Sequence, residues 1–110
     1  MIEKIVRKYL ADNLSVGVYM EEPTKAPKSY VVIERVGGSQ KNHINSASFA
    51  VQSYAATLLK AAELDVVVKN VMDHITDTTE IGSAKLASNY NHTDTRKKKY
   101  RYQSVYDLTY

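Results

Sequence analysis

The alternation over residues 100–110 constrains the fold more than any other stretch of the chain. Tyr100, Tyr102, Ser104, Tyr106, Leu108 and Tyr110 share one side of an extended backbone, and Arg101, Gln103, Val105, Asp107 and Thr109 share the other. Successive side chains of a strand point to opposite faces, so this period of two specifies a strand with two chemically different faces. A strand of that length needs neighbours, and the chain supplies them. Tyr30, Val31, Val32, Ile33 and Val36 crowd β-branched and aromatic residues into positions 29–36. Ala47, Phe49 and Val51 then alternate with Ser46, Ser48, Ala50 and Gln52, as a strand pairing back on the previous one would. Residues 16–20 read as a short strand. Residues 81–90 read as a weaker one, with Gly82 as a bulge candidate.

Two stretches switch to helical spacing. Ile2, Ile5, Val6, Tyr9 and Leu10 recur on one side, with Glu3, Lys4, Arg7 and Lys8 between them, which predicts an amphipathic helix ending near Asn13. From about Tyr54, Leu58, Leu59 and Ala62 fit one helix face. Leu64, Val67, Val68, Val71, Met72 and Ile75 fit a second. Asp65 is placed to cap a new helix after a break near Glu63. The expected architecture is a single α+β domain over residues 1–110. It has the order α-β-β-β-α(α)-β-β and a mostly antiparallel sheet. The N-terminal helix and the central, possibly broken, helix pack on one face. A chain of 110 residues supports one core.

Between the strands, residues 21–28 hold two prolines and four charges and read as a loop. Gly37, Gly38, Ser39, Gln40, Lys41 and Asn42 read as an exposed hairpin loop that extends to Asn45 and could order against a neighbouring subunit. Residues 91–95 are loop-like. Arg96, Lys97, Lys98, Lys99 and Arg101 follow, five positive charges in six positions, and are expected near the turn of the last hairpin. Without them the formal charge of +3 becomes −2, so the basic character is local.

No catalytic constellation is found, and no metal or cofactor is implied. His43, His74 and His92 have no partner ligands at metal-site spacing. Glu21, Glu22, Asp77 and Asp94 fall in loops. Gly37-Gly38-Ser39 is too short for a phosphate loop and lacks the following Gly-Lys. There is no cysteine, which excludes thiolate chemistry and a disulfide framework. The opening residues carry charge where a signal peptide needs an apolar run, and no apolar stretch is long enough to span a bilayer, so a cytoplasmic origin without membrane contact is expected.

Nine tyrosines stand beside one phenylalanine and no tryptophan. Tyrosine suits surfaces that become buried only on assembly, which makes Tyr100, Tyr102, Tyr106 and Tyr110 interface candidates. It also paves sheets with no partner at all. The basic cluster has two readings as well: a charged tip that keeps a sheet edge soluble, or a contact for nucleic acid backbone.

The whole chain resembles the small tail-terminator, or tail-completion, proteins of long-tailed bacteriophages and prophages of Gram-positive bacteria. The likeness is carried by three stretches. The first is the opening Met-Ile-Glu-Lys-Ile-Val-Arg-Lys-Tyr-Leu with Val18-Tyr19-Met20-Glu21-Glu22-Pro23. The second is Tyr30-Val31-Val32-Ile33-Glu34-Arg35-Val36-Gly37-Gly38, leading through Asn42-His43 to Ala47-Ser48-Phe49-Ala50-Val51-Gln52-Ser53-Tyr54. The third runs from Asn89-Tyr90-Asn91-His92 to Val105-Tyr106-Asp107-Leu108-Thr109-Tyr110. The resemblance implies a minor structural protein of the virion tail or neck, assembled in the host cytoplasm. It implies a ring of identical copies, sixfold in relatives, that ends tail-tube polymerisation. The implied partners are the chain itself, the tail-tube protein and the head-completion or connector protein; the basic cluster adds the possibility of a nonspecific contact with DNA in the channel. A head–tail joining protein of the same neck region is the alternative within this class, and a small nucleic-acid-binding protein the alternative outside it.

Overall fold

A computed structural model describes residues 1–110. The first helix, α1 (Ile2–Asn13), buries Ile2, Val6 and Leu10 along one stripe and leaves the charged residues between them in solvent. Five strands follow the expected order: β1 (Gly17–Tyr19), β2 (Tyr30–Lys41), β3 (Ile44–Ala55), β4 (Ser83–Asn91) and β5 (Tyr100–Thr109), with the second helix, α2 (Leu58–Met72), between β3 and β4. They form one sheet in the spatial order β1-β2-β3-β5-β4. All pairings are antiparallel except β1 with β2, whose three residue pairs are parallel. β5 therefore sits inside the sheet, between β3 and β4.

Both helices pack on one face. Val18, Val31, Ile33, Ala47, Phe49, Val51, Tyr106 and Leu108 of the sheet meet Ile2, Val6 and Leu10 of α1, Val68 and Met72 of α2, and Ile75 of the short 3-10 turn that follows. Tyr9 Oη donates to the carbonyl of Val71 at 2.7 Å and fastens one helix to the other.

Three expectations are corrected. Residues 37–41 and 44–45 are not loop: β2 and β3 stay paired as far as Lys41–Ile44, with β5 alongside β3 up to Ser46, so that only the last two pairs form a two-stranded ribbon. The turn is only Asn42-His43, both with positive φ (52° and 65°), the geometry that matches the right-handed strand twist in a two-residue hairpin. Gly38 makes room for the Arg35 guanidinium, which folds across it in the space a Cβ would fill, whereas a Cβ at Gly37 would meet nothing. The ribbon is exposed, as expected of that segment. The sheet bulges fall at Val36 and Ala87, not at Gly82, whose N–H donates to the Thr109 carbonyl just before β4 begins.

The central helix is continuous. Its N-cap is Thr57, whose side chain accepts from the Lys60 amide at 3.2 Å, while Asp65 lies mid-helix and buried. Packing overrides the poor helix propensity of Val66-Val67-Val68, because Val68 points into the core. After Met72 the chain turns through Ile75–Asp77 and enters β4.

Three hydroxyls, of Ser53, Ser104 and Tyr106, are buried under the helices without a hydrogen bond within the chain. Burial, with the carboxylates of Asp73 and Asp65 adding to it, pushes the Tyr106 phenol up to about 12 from its ordinary 10.0. The folded pKa lies above the unfolded one, so this contribution to stability is complete below pH 10 and is lost as pH rises towards 12. Replacing Tyr106 with Phe removes an unpaired buried hydroxyl and is expected to raise stability at pH 7 by about 1 kcal/mol. It should also shift alkaline unfolding to higher pH, and urea titrations at pH 7 and pH 11 check both.

Candidate functional site: assembly surfaces

The hairpin joining β4 to β5 carries the basic cluster, as its sequence leads one to expect, but the five cations do not act as one group. Asp94 and Lys99 exchange backbone hydrogen bonds of 3.0 Å across the hairpin. Asp94 Oδ1 also accepts from the amides of Arg96 and Lys97, at 3.1 and 3.3 Å. Lys98 closes the turn with a φ of 52°. Arg96, Lys97 and Lys98 are exposed and take part in no ion pair of the chain. Lys99 instead turns back to the Glu22 carboxylate. Arg101 donates to the His92 carbonyl and to Tyr54 Oη, both at 2.7 Å, and its guanidinium lies 5.6 Å from the Tyr54 ring centroid.

Arg101 thereby begins a row of contacts over the sheet face opposite the helices. Tyr54 Oη donates to Gln52 Oε1 at 3.1 Å, Gln52 Nε2 to Gln103 Oε1 at 2.9 Å, and Gln103 Nε2 to Tyr90 Oη at 2.6 Å. Beside this row Tyr30 stacks on Tyr54 with ring centroids 4.6 Å apart, and Tyr19 meets Tyr30 edge-on. The segment between β1 and β2 lies against them through Glu22, which accepts from the Tyr30 hydroxyl at 3.2 Å. The hydrogen bond from Lys99 holds the Glu22 carboxyl below its usual range, and burial pushes the Tyr30 phenol far above its own. Glu21, Glu22, Glu34, Gln52, Tyr54 and Arg101 surround an open hollow of about 400 Å³ here. Of its three carboxylates, Glu22 is already paired with Lys99.

The aromatic candidates divide. Tyr106 is 2 % exposed and belongs to the core, so it cannot meet a partner; its place opposite Phe49 under the helices explains why. Tyr100, Tyr102 and Tyr110 are half-buried. Gly37, Gly38, Ser39, Gln40, Lys41 and Asn42 line the exposed ribbon. His43, His74 and His92 are all exposed, and no group of three His, Cys, Asp or Glu is placed to hold a metal ion. No helix is long and apolar enough to cross a membrane.

Two features escape a reading of the sequence. One is the outer side of α2, where Leu58, Leu59, Val66 and Val67 are 41 to 69 % exposed. The signal for it is a helix apolar on both sides, which in a stable assembly has something on both sides. The other is the tie between α2 and β4. Asn89 Nδ2 donates to both oxygens of the buried Asp65 carboxylate at 3.0 and 3.1 Å and to the Gln103 carbonyl at 3.2 Å, while Lys69 Nζ stands 3.4 Å from Asp65.

No protein-family model matches the chain, and no match to it is found among curated proteins.

Asn89→Ala strips the buried carboxylate of its donor. Unfolding in urea should show a loss of about 2 kcal/mol, with amide exchange accelerated along β4 before the rest of the sheet.

Proposed function

We propose that the chain is a structural assembly subunit, a tail terminator that forms a ring on the end of a phage tail tube and offers its other side to the head connector. One observation carries the reading beyond the resemblance of its sequence: the fold leaves several surfaces unfinished at once. Leu58, Leu59, Val66 and Val67 are bare on the outer side of α2 beside Lys60, Glu63 and Asn70, the end of the β2–β3 hairpin projects into solvent, and the tip of the β4–β5 hairpin holds three cations outside any ion pair. Bare apolar side chains and a projecting hairpin are features that a subunit of a larger structure covers, and a cationic tip offers such a structure a charged contact. The hydrogen-bonded row on the open sheet face supports the same reading, since rigid Tyr, Gln and Arg side chains with polar ends suit a contact surface that is wet before assembly.

A ring repeats the Arg96, Lys97 and Lys98 tip around one axis. Such a crown of positive charge suits a polyanion in the channel or an acidic patch on the tube, and either contact weakens with salt. The head–tail joining role uses the same surfaces, and the partner that is bound separates the two.

Added to polymerising tail-tube protein, the purified chain should cap the tubes and make their lengths uniform in electron micrographs. Tubes that grow unchanged at saturating protein refute the terminator role, and exclusive binding to connector rings selects the joining role. The variant Arg96→Gln, Lys97→Gln, Lys98→Gln keeps the Lys99–Glu22 contact. It should fold normally yet lower infectious yield at least tenfold, with the capping defect of the wild type at high salt reproduced at low salt. A normal yield assigns the tip to solubility alone.

A further inference from the structure

We propose that a second copy of the chain lays the free edge of its β2 along the outer edge of β4, so that the sheet continues from one subunit into the next. This deepens the assembly role and rests on it for the identity of the partner. β4 closes one side of the sheet, and its residues are exposed except for Ala84. On the other side β1 covers only Tyr30, Val31 and Val32, which leaves β2 open from Ile33 onward.

The two open edges match in height, length and direction. Following the register across the sheet, Ser83 is level with Thr109, Ser46 and Ser39, and Asn89 is level with Ser104, Val51 and Ile33. Residues 83–89 and 33–39 are therefore equal stretches at the same height, each with one bulge, at Ala87 and at Val36. Three successive antiparallel pairings separate β2 from β4, so the two strands run in opposite directions within one subunit. A neighbour generated by rotation about an axis along the strands presents β2 to β4 antiparallel, with its backbone amides and carbonyls facing the unused ones of β4. The contact joins different surfaces on the two copies, so it repeats and can close into a ring.

The side chains agree. β4 carries one charged residue, Lys85, little protection for an edge of that length if it were to stay free. Leu86 and Val36, 42 % and 55 % exposed, lie at nearly the same height on the two edges and cover each other when the edges join.

The chain has no cysteine, so introduced ones report without background. Leu86→Cys and Val36→Cys are made separately, mixed at high concentration with and without tail tubes, and treated with a bismaleimide short enough to bridge only adjacent strands. The expected product is a dimer of one variant with the other, formed far more in the mixture than in either variant alone. A chain with both changes should give a ladder. Dimers of Leu86→Cys with itself overturn the pairing in favour of a two-fold β4–β4 contact. Copies that associate by light scattering without this cross-link overturn the edge contact and leave the assembly role standing on another surface. Absence of association under every condition, tail tubes included, overturns both.

Discussion

The pairing of β3 with β5 is the joint on which the rest of the molecule hangs. Ten residue pairs run from Ser46–Thr109 to Ala55–Tyr100 and bring together segments about half the chain apart. On one side of this joint Phe49 faces Tyr106 and Ala47 faces Leu108, which builds the floor that both helices cover. On the other side Gln52 faces Gln103, which builds the middle of the hydrogen-bonded row. A slip of one residue would exchange the two sets, setting Gln103 under the helices and Tyr106 in solvent. The apolar floor and the polar face thus hold the same register from opposite sides.

From that joint the sheet is finished unequally. On the β5 side, β4 is pinned to α2 through Asn89 and Asp65, so its position follows from a helix on the protected face. On the β3 side, β2 outruns its short neighbour β1, and beyond the pair Ser39–Ser46 the hairpin of β2 and β3 extends past the end of β5. Apolar burial is concentrated where the helices lie, at roughly 1.5–3 kcal/mol for each large side chain. The ribbon and the hairpin tip contribute little to this total, and they are free to be shaped by what they meet.

Much of this was legible in the sequence, for reasons that particular residues make plain. The alternation over residues 100–110 located β5, and the stripe of Ile2, Val6 and Leu10 located α1, because burial on one face leaves a period behind. The ribbon was misread because Gly37 and Gly38 look like a turn. The real turn, Asn42-His43, contains no glycine and tolerates positive φ through the short polar Asn side chain. Asp65 was misread as a cap because a buried acid in mid-helix is rare. Its partner Asn89 lies 24 positions away, beyond the reach of a local pattern. The hairpin tip was placed correctly, but its division was not. Glu22 is 77 positions from the Lys99 it binds, and only the folded sheet brings them together.

The interior position of β5 also sets the order in which the molecule can be made. α1, β1, β2 and β3 leave the ribosome first, yet β3 then has one bare edge, and the floor beneath the helices lacks Tyr106 and Leu108. The stretch from Ala55 to Tyr100 takes on the order of a few seconds to synthesise. During that time Phe49 and Val51 sit on an uncapped strand, the kind that pairs with the wrong chain. α2, which follows β3 in the chain, covers this floor on the folded molecule. β4 pairs with no strand of the sheet except β5, so this edge too is completed only when the last strand is in place.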